Sequence, residues 1–263
     1  MRPEPNEYSR QWFEIFHMGI SEARTMQETA FVCHRAPLPY FRKVVDVCCG
    51  MGRHARALSG RGYSVIGIDR NDDAIAKARA LAGGSSYLNS DIRDYRPESG
   101  AFDLVIIMSQ SFGYFDATTN REVLGRLAAG LREGGRVILD LWSPEFFAVH
   151  QGDRELKLPR GVVREHKHIE GDRLFVQLDY PDGYSEQFEW QLFSPANMIS
   201  MAKSVGLMPL LVCTDFDEAT SPSPTNPRVQ FVFERCCVSS TTRQEESASG
   251  VITEKQIAEF RHR

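Results

Sequence analysis

Residues 44–55 read Val44-Val45-Asp46-Val47-Cys48-Cys49-Gly50-Met51-Gly52-Arg53-His54-Ala55, and a second apolar run follows that ends at Asp69. Valines flanking Asp46 spell a buried strand, and the residues after Gly52 suit a helix leading into a second strand tipped by a carboxylate. Glycine lets the backbone turn sharply and lie against a ligand where any Cβ would collide. The pattern is a nucleotide-binding βαβ unit, with Asp69 placed to accept hydrogen bonds from a ribose.

Outward from this unit, strands and helices alternate. Strands are expected at 44–48, 63–69, near 87–89, at 102–108 and at 136–141. Helices are expected over 53–59, over 72–81 behind an Asn71 or Asp72 cap, and over 121–131 up to Gly134-Gly135. The unbroken apolar run at 102–108 is that of a central parallel strand covered on both faces. After Trp142 the rhythm changes. Residues 160–193 alternate in β fashion, with turn signals at Glu170-Gly171-Asp172 and Pro181-Asp182-Gly183, and read as an antiparallel meander inserted into the α/β fold. A helix at 195–205 and strands at 207–213 and 228–234 close the fold, the strands able to pair as a hairpin. Upstream, residues 8–40 carry two short amphipathic helices halted by Pro37 and Pro39. The expected organisation is a helical lid at 1–43, a binding domain at 44–142 with 194–237, an insertion at 143–193 that sets specificity, and a flexible polar tail at 238–263 with a short helix in 253–260.

The chain has 263 residues, of which 42% are hydrophobic and 25% charged, enough to bury a large core. A net charge of −4 offers no basic field for a polyanion, so nucleic acid is not an expected partner. No apolar run approaches the roughly 20 residues that span a bilayer, and Met1-Arg2-Pro3-Glu4-Pro5-Asn6-Glu7 lacks the apolar segment of a signal peptide. The six cysteines, at 33, 48, 49, 213, 236 and 237, make no CxxC pair. Reduced thiols in a cytoplasmic protein are the expectation. His166 and His168 share one strand face, but no third ligand stands at useful spacing, so no metal is expected.

Gly50-x-Gly52-x-x-Ala55 with Asp69 also satisfies the dinucleotide pattern, which keeps an NAD(P)-dependent oxidoreductase open. Three features favour S-adenosyl-L-methionine (SAM). Asp46 sits four residues before Gly50, where a carboxylate opposes a pyrophosphate but suits a sulfonium and an ammonium. Asp91 follows the third strand, where it can accept from an adenine amino group. The fold ends in a hairpin rather than another βαβ repeat. Asp46→Asn separates the two readings: a nicotinamide enzyme tolerates it, and a SAM enzyme loses affinity.

On these residues the chain resembles the class I SAM-dependent methyltransferases. Residues 44–57 are similar to their first motif, Asp69 to the ribose-binding acid, and Asp91-Ile92 to the adenine-binding acid and its neighbour. Leu131-Arg132-Glu133-Gly134-Gly135-Arg136 resembles the turn into their fifth strand. Cys49-Gly50-Met51-Gly52-Arg53-His54, Ser111-Phe112-Gly113-Tyr114-Phe115 and Asp215-Phe216-Asp217 narrow the likeness to a bacterial small-molecule group with a β insertion, which includes antibiotic-sugar N,N-dimethyltransferases. The resemblance implies a Rossmann-like α/β fold with seven strands, the last reversed. It assigns Asp46, Cys48, Gly50, Gly52, Arg53, Asp69, Arg70, Asp91, Ile92 and Met108 to the cofactor. Tyr8, Trp12, Tyr114 and Trp142 are assigned to the acceptor, with Tyr114 the candidate catalytic residue. Arg53 is the candidate for the methionyl carboxylate.

The implied reaction is methyl transfer to an N or O atom of a small molecule, in natural-product biosynthesis. Ser109-Gln110-Ser111-Phe112 stands where base and glutamine N-methyltransferases carry an Asn/Asp-Pro-Pro-Tyr turn, which again disfavours nucleic acid. A non-catalytic SAM-binding protein is the remaining alternative, and it would lack an acceptor pocket between Tyr114 and the insertion. Edge-to-edge pairing of the insertion would give a homodimer.

Overall fold

The computed structural model describes residues 6–17, 19–81, 83–158 and 161–236. The tail expected at 238–263, with its short helix, lies outside the described residues.

Seven strands form the main sheet: β1 (Lys43–Val47), β2 (Ser64–Asp69), β3 (Ser86–Asn89), β4 (Phe102–Ile107), β5 (Leu131–Trp142), β10 (Leu207–Cys213) and β11 (Arg228–Arg235). Their order is β10-β11-β5-β4-β1-β2-β3. Neighbours are parallel throughout, except that β11 runs antiparallel to both β5 and β10. The last strand is therefore the reversed one, and it closes the expected hairpin with β10.

The run at 102–107 explains why β4 lies near the centre. Successive side chains of a strand point to opposite faces. Val105 and Ile107 pack into one core with Leu124 and Leu127 of α5 (Ala117–Gly130) and Met198 of α7 (Pro195–Ser204). Leu104 and Ile106 pack into the other, with Ala55 and Leu58 of α3 (Arg53–Ser59) and Phe31 and Val32 of α2 (Glu22–Arg35). A strand apolar on both faces needs helices on both faces, and it has them. The helix after β2, α4 (Asp72–Ala80), starts on an Asn71 cap whose side chain accepts from the Ala74 amide.

Four elements depart from the sequence expectation. Helix α5 begins at Ala117, four residues earlier than expected, because Asp116 caps it by accepting from the Thr118 and Thr119 amides, each at 3.0 Å. Gly134-Gly135 is a bulge inside β5 rather than a helix stop: Phe102 pairs with Leu131 while Leu104 pairs with Arg136. The insertion starts with a short helix, α6 (Pro144–Val149), and an extra strand, β6 (Gly152–Leu158). With β7 (Gly161–Glu170), β8 (Arg173–Asp179) and β9 (Ser185–Gln191) this makes a four-stranded antiparallel sheet in chain order. Finally, the N-terminal region is not one lid. The short α1 (Arg10–Trp12) and the π-helical turn Phe13–His17 lie with the insertion, but α2 buries Phe31, Val32 and Ala36 against the main sheet.

The turn after β1 explains its glycines individually. Gly52 caps α3 at φ +72°, and a Cβ there would stand 2.4 Å from the Tyr87 hydroxyl. Tyr87 fills the space beneath the turn, so Gly52 is required by packing and by its backbone together. Gly52→Ala should destabilise the fold by roughly 1–3 kcal/mol, read as a lower urea midpoint at unchanged m-value.

Candidate functional site

A cavity of about 1260 Å3 opens over the C-terminal ends of β1, β2, β4 and β5 and continues beneath the insertion. Ligands of open α/β sheets bind at that edge, where strand order reverses, here between β1 and β4. The volume exceeds the roughly 300–1,000 Å3 of a site for one small ligand. Two ligands can lie side by side.

The half above β1 and β2 is built from polar groups. Asp69, at the tip of β2, accepts from the Gly50 amide at 2.8 Å and the Asn71 amide at 2.9 Å. Burial raises its carboxyl above the ordinary range, and those two amides pull the other way. Arg70 lines the cavity and donates to the Asn6 carbonyl at 2.5 Å. Cys48, at φ +54°, lines the floor with Ile92 and Met108, and burial lifts its thiol well above the usual value. Asp46 is 1% exposed, and its Oδ2 has no hydrogen-bond partner among the described residues. Burial pushes Asp46 up to about 7, against the pull of Arg53 and the Ala55 amide. An orphaned buried carboxylate oxygen on a cavity wall suits a cationic ligand group.

Behind this half lies a cluster that sequence reasoning missed. Glu28 of α2 is buried and accepts from Arg24 at 2.9 Å, from His54 at 2.8 Å and from Arg53. Burial works to raise Glu28, but the bonds and charges of His54 and Arg53 outweigh it and hold the carboxyl far below the ordinary range. Burial brings His54 down to about 4 despite Glu28. Arg53 also reaches Thr25 at 3.0 Å and Ser109 at 3.1 Å. Its guanidinium is thus a tie between α2, α3 and the loop after β4, and its buried Nε alone lacks a partner among the described residues. Arg24, one-third exposed, lines the same wall. The only sequence trace of the cluster is the i, i+4 spacing of Arg24 and Glu28.

Two residues expected at the cofactor do not line the cavity. Asp91 is held by its neighbour Arg93, accepting from Nε at 3.0 Å and from Nη2 at 2.7 Å, while Ser90, Ile92 and Arg93 form the wall. A residue two positions away thus competes for the carboxylate, as Asp-x-Arg spacing allows. Gly52 faces Tyr87 instead, as described above.

The other half is aromatic. Tyr8, Trp12, Tyr114 and Trp142 all line the cavity, joined by Phe188 and Trp190 of β9, which the sequence reading passed over as ordinary strand residues. The Tyr8 and Tyr114 hydroxyls lie 3.0 Å apart, and the Tyr8 ring packs on Phe188 at 4.9 Å. Burial raises both phenols well above their ordinary value. Asn6 fastens this segment to β9: its amide donates to the Gln187 carbonyl at 3.0 Å, and its side chain makes two further bonds to the Glu189 backbone. His166 and His168 point to the outer face of the insertion, where His166 pairs with Asp153 at 2.7 Å. No metal-ligating group of three or more His, Cys, Asp or Glu occurs among the described residues.

A seven-stranded sheet with a reversed last strand and this cavity define a class I methyltransferase fold. The methyltransferase domain family matches residues 44–135. The Bacillus subtilis protein named "Putative methyltransferase YqeM" is 30% identical over 232 residues, covering 82% of this chain and 93% of that one. The dTDP-3-amino-3,4,6-trideoxy-alpha-D-glucopyranose N,N-dimethyltransferase of Streptomyces venezuelae is 30% identical over 146 residues; the match takes in 52% of this chain and 58% of that protein. Among solved structures, SAM-bound CalS10, an amino pentose methyltransferase from Micromonospora echinaspora involved in calicheamicin biosynthesis, superposes with a TM-score of 0.67 at 20% identity, over 89% of this chain and all of that one. The chain belongs to the SAM-dependent methyltransferases, and its cofactor is S-adenosyl-L-methionine. The residues fit that cofactor: Asp46 offers an unshared buried anion, and Asp69 retains lone pairs toward the cavity.

Below about pH 7 Asp46 is protonated in the ligand-free protein, and above it the carboxylate is a buried anion without a partner. A cation beside it favours the ionised form, so SAM affinity should rise with pH below about 7 and level off above it, with proton release on binding near pH 6. Asp46→Asn should lower affinity about tenfold and flatten that dependence, measured by calorimetric titration in buffers of different ionisation enthalpy.

Proposed function

We propose that this methyltransferase acts on the amine nitrogen of a small-molecule acceptor bound between the N-terminal segment and the insertion. The observation that carries the reading is the Tyr8–Tyr114 pair, two hydroxyls 3.0 Å apart whose protons are held tightly by burial. Neither phenol is a base near neutral pH. The carboxylates on that side are otherwise occupied: Glu165 binds Lys167 and Arg154, Glu189 binds Arg173, and Glu7 stands exposed at the rim. An alcohol needs a proton acceptor in the transition state, whereas a neutral amine brings its own lone pair. The aminosugar N,N-dimethyltransferase among the relatives supports the same choice.

In this reading Asp46, Cys48, Gly50, Asp69, Arg70, Ile92 and Met108 hold the cofactor, which supplies a methyl group already activated on a positively charged sulfur. Arg24 takes the methionyl carboxylate from the exposed side, and Arg53 fixes the wall through Glu28. Asp91 and Gly52 shape the site without touching the ligand. Tyr114 and Tyr8 orient the nitrogen, as one accepts from the other and leaves a hydroxyl proton or lone pair for the acceptor. Trp12, Phe188 and Trp142 exclude water around it.

Residues 44–142 with 194–237 act as the cofactor domain and 143–193 as the specificity element in the same proposal. Free thiols at Cys33, Cys48, Cys49, Cys213 and Cys236 support a cytoplasmic setting, and no helix among the described residues is long and apolar enough to cross a membrane. A role in natural-product biosynthesis is proposed on the printed descriptions of the relatives, and a homodimer on the open edge of β6.

A panel of small amines, phenols and alcohols, scored for methylation by mass spectrometry, tests the reading. Amines should be the substrates, and Tyr114→Phe should lower kcat by roughly tenfold or more through lost positioning while S-adenosylhomocysteine affinity stays unchanged. Methylation confined to phenols or alcohols would overturn the assignment.

A further inference from the structure

The face of the insertion that looks into the cavity is apolar along β8, through Leu174, Val176 and Leu178, but β7 presents Glu165 and Lys167. Glu165 is buried, and its Oε1 accepts from Lys167 Nζ at 2.6 Å and from Arg154 Nη2 at 2.9 Å. One carboxylate between two cations leaves a positive charge on an otherwise greasy wall. The Lys167 ammonium stands 5.6 Å from the Phe147 ring centroid, and Phe147 packs edge-on against Trp142 at 5.1 Å. Trp142 ends β5, at the same strand edge as the cofactor half. Its Nε1 is buried and has no acceptor among the described residues. Lys167, Arg154 and Trp142 therefore offer donors on one wall, and a buried donor without an acceptor is a costly group to leave unmatched. Nearby carboxylates do not cancel the excess: Glu189 is neutralised by Arg173 at 3.0 Å, and Glu186 is taken by the Ser9 amide at 2.7 Å and the Tyr180 hydroxyl.

We infer that the methyl acceptor carries an oxyanion, a carboxylate or a phosphate, and that Lys167, Arg154 and the Trp142 indole bind it. This rests on the reading of the aromatic half as the acceptor site and narrows it to amines that bear an acidic group. The charge also gives Glu165 a role. It pins the two long basic side chains in place, so that less freedom is lost when the anion arrives.

The chain's three tryptophans, Trp12, Trp142 and Trp190, all line this cavity, so intrinsic fluorescence reports its occupancy. The test titrates the full chain, with and without saturating S-adenosylhomocysteine, using 3-phenylpropionate, phenyl phosphate and uncharged 3-phenylpropanol. At least one anion should bind about tenfold or more tightly than the alcohol, and which anion wins distinguishes carboxylate from phosphate. Lys167→Gln should abolish the preference, Lys167→Arg should retain it, and Arg154→Gln, at a side chain 61% exposed, should reduce it without harm to the fold. Equal binding of all three probes, binding of none, or a preference unchanged in both the Lys167→Gln and Arg154→Gln proteins would overturn the inference. Calorimetry with S-adenosylhomocysteine on the same samples keeps the two levels apart. Intact cofactor binding with no anion preference removes the subsite alone, and loss of cofactor binding in the unaltered protein strikes the functional assignment itself.

Discussion

The order of three strands, β4-β1-β2, sets where everything else must go. From β1 the chain departs through α3 on one face of the sheet, while α5, which follows β4, packs on the other. Helices that diverge from adjacent strands leave a crevice at the strands' C-terminal edge, and no side chain of the sheet can fill it. Asp69 makes the crevice usable. By accepting from the Gly50 amide at 2.8 Å it ties the tip of β2 to the turn after β1 and points a carboxylate into the opening. The turn's own conformation depends on Gly52 lying against Tyr87.

Charge burial around the crevice follows one rule with one exception. Glu28 collects Arg24, Arg53 and His54, and Asp140 collects the Ser109 amide, Arg228 and Gln230. Each buried carboxylate is matched by donors from separate elements, which is the condition under which a buried charge is tolerable. Asp46 breaks the rule, with an unpartnered oxygen at 1% exposure. A fold that satisfies its other buried acids so fully does not carry this one for stability. The violation belongs where a ligand completes the set, and such local inconsistencies are expected at functional sites.

Much of this could be read from the chain in advance, and the division has a physical cause. Strand β4, the β1 turn, Asp46, Asp69 and the final hairpin were legible because each is encoded by a local run or spacing. What escaped depends on partners far apart in sequence. Arg24 and Glu28 sit in an expected helix as an ordinary polar pair until α3 packs on it and brings Arg53 and His54. Asp91 carries the right type at the right place, yet Arg93 claims its carboxylate, a competition that spacing alone does not resolve. Strand β6 was missed because Asp153, Arg154, Glu155 and Lys157 leave an exposed edge strand only Leu156 and Leu158 as apolar alternation. In β7 the eye is drawn to His166 and His168, whereas the pleat turns Glu165 and Lys167 inward. One residue of register exchanges the two sets, and only the placement of Val163 in the core fixes which set faces the cavity.

The two halves of the cavity differ in how they are built, and in the proposed function that difference separates cofactor from acceptor. The cofactor half is made of strand tips and helix starts of the main sheet, held by backbone amides that substitution of a side chain leaves in place. Its partner half is made of side chains on the insertion and on the segment around Tyr8. Asn6 links that segment to both sides, since it bonds to β9 on one side and receives Arg70 on the other. Arg70 follows directly on Asp69, so the segment around Tyr8 is anchored beside the tip of β2. Because the insertion forms a sheet of its own, its inward residues can change without disturbing β1, β2 or β4. Under the proposed function, specificity can vary there while the chemistry at the strand edge stays fixed.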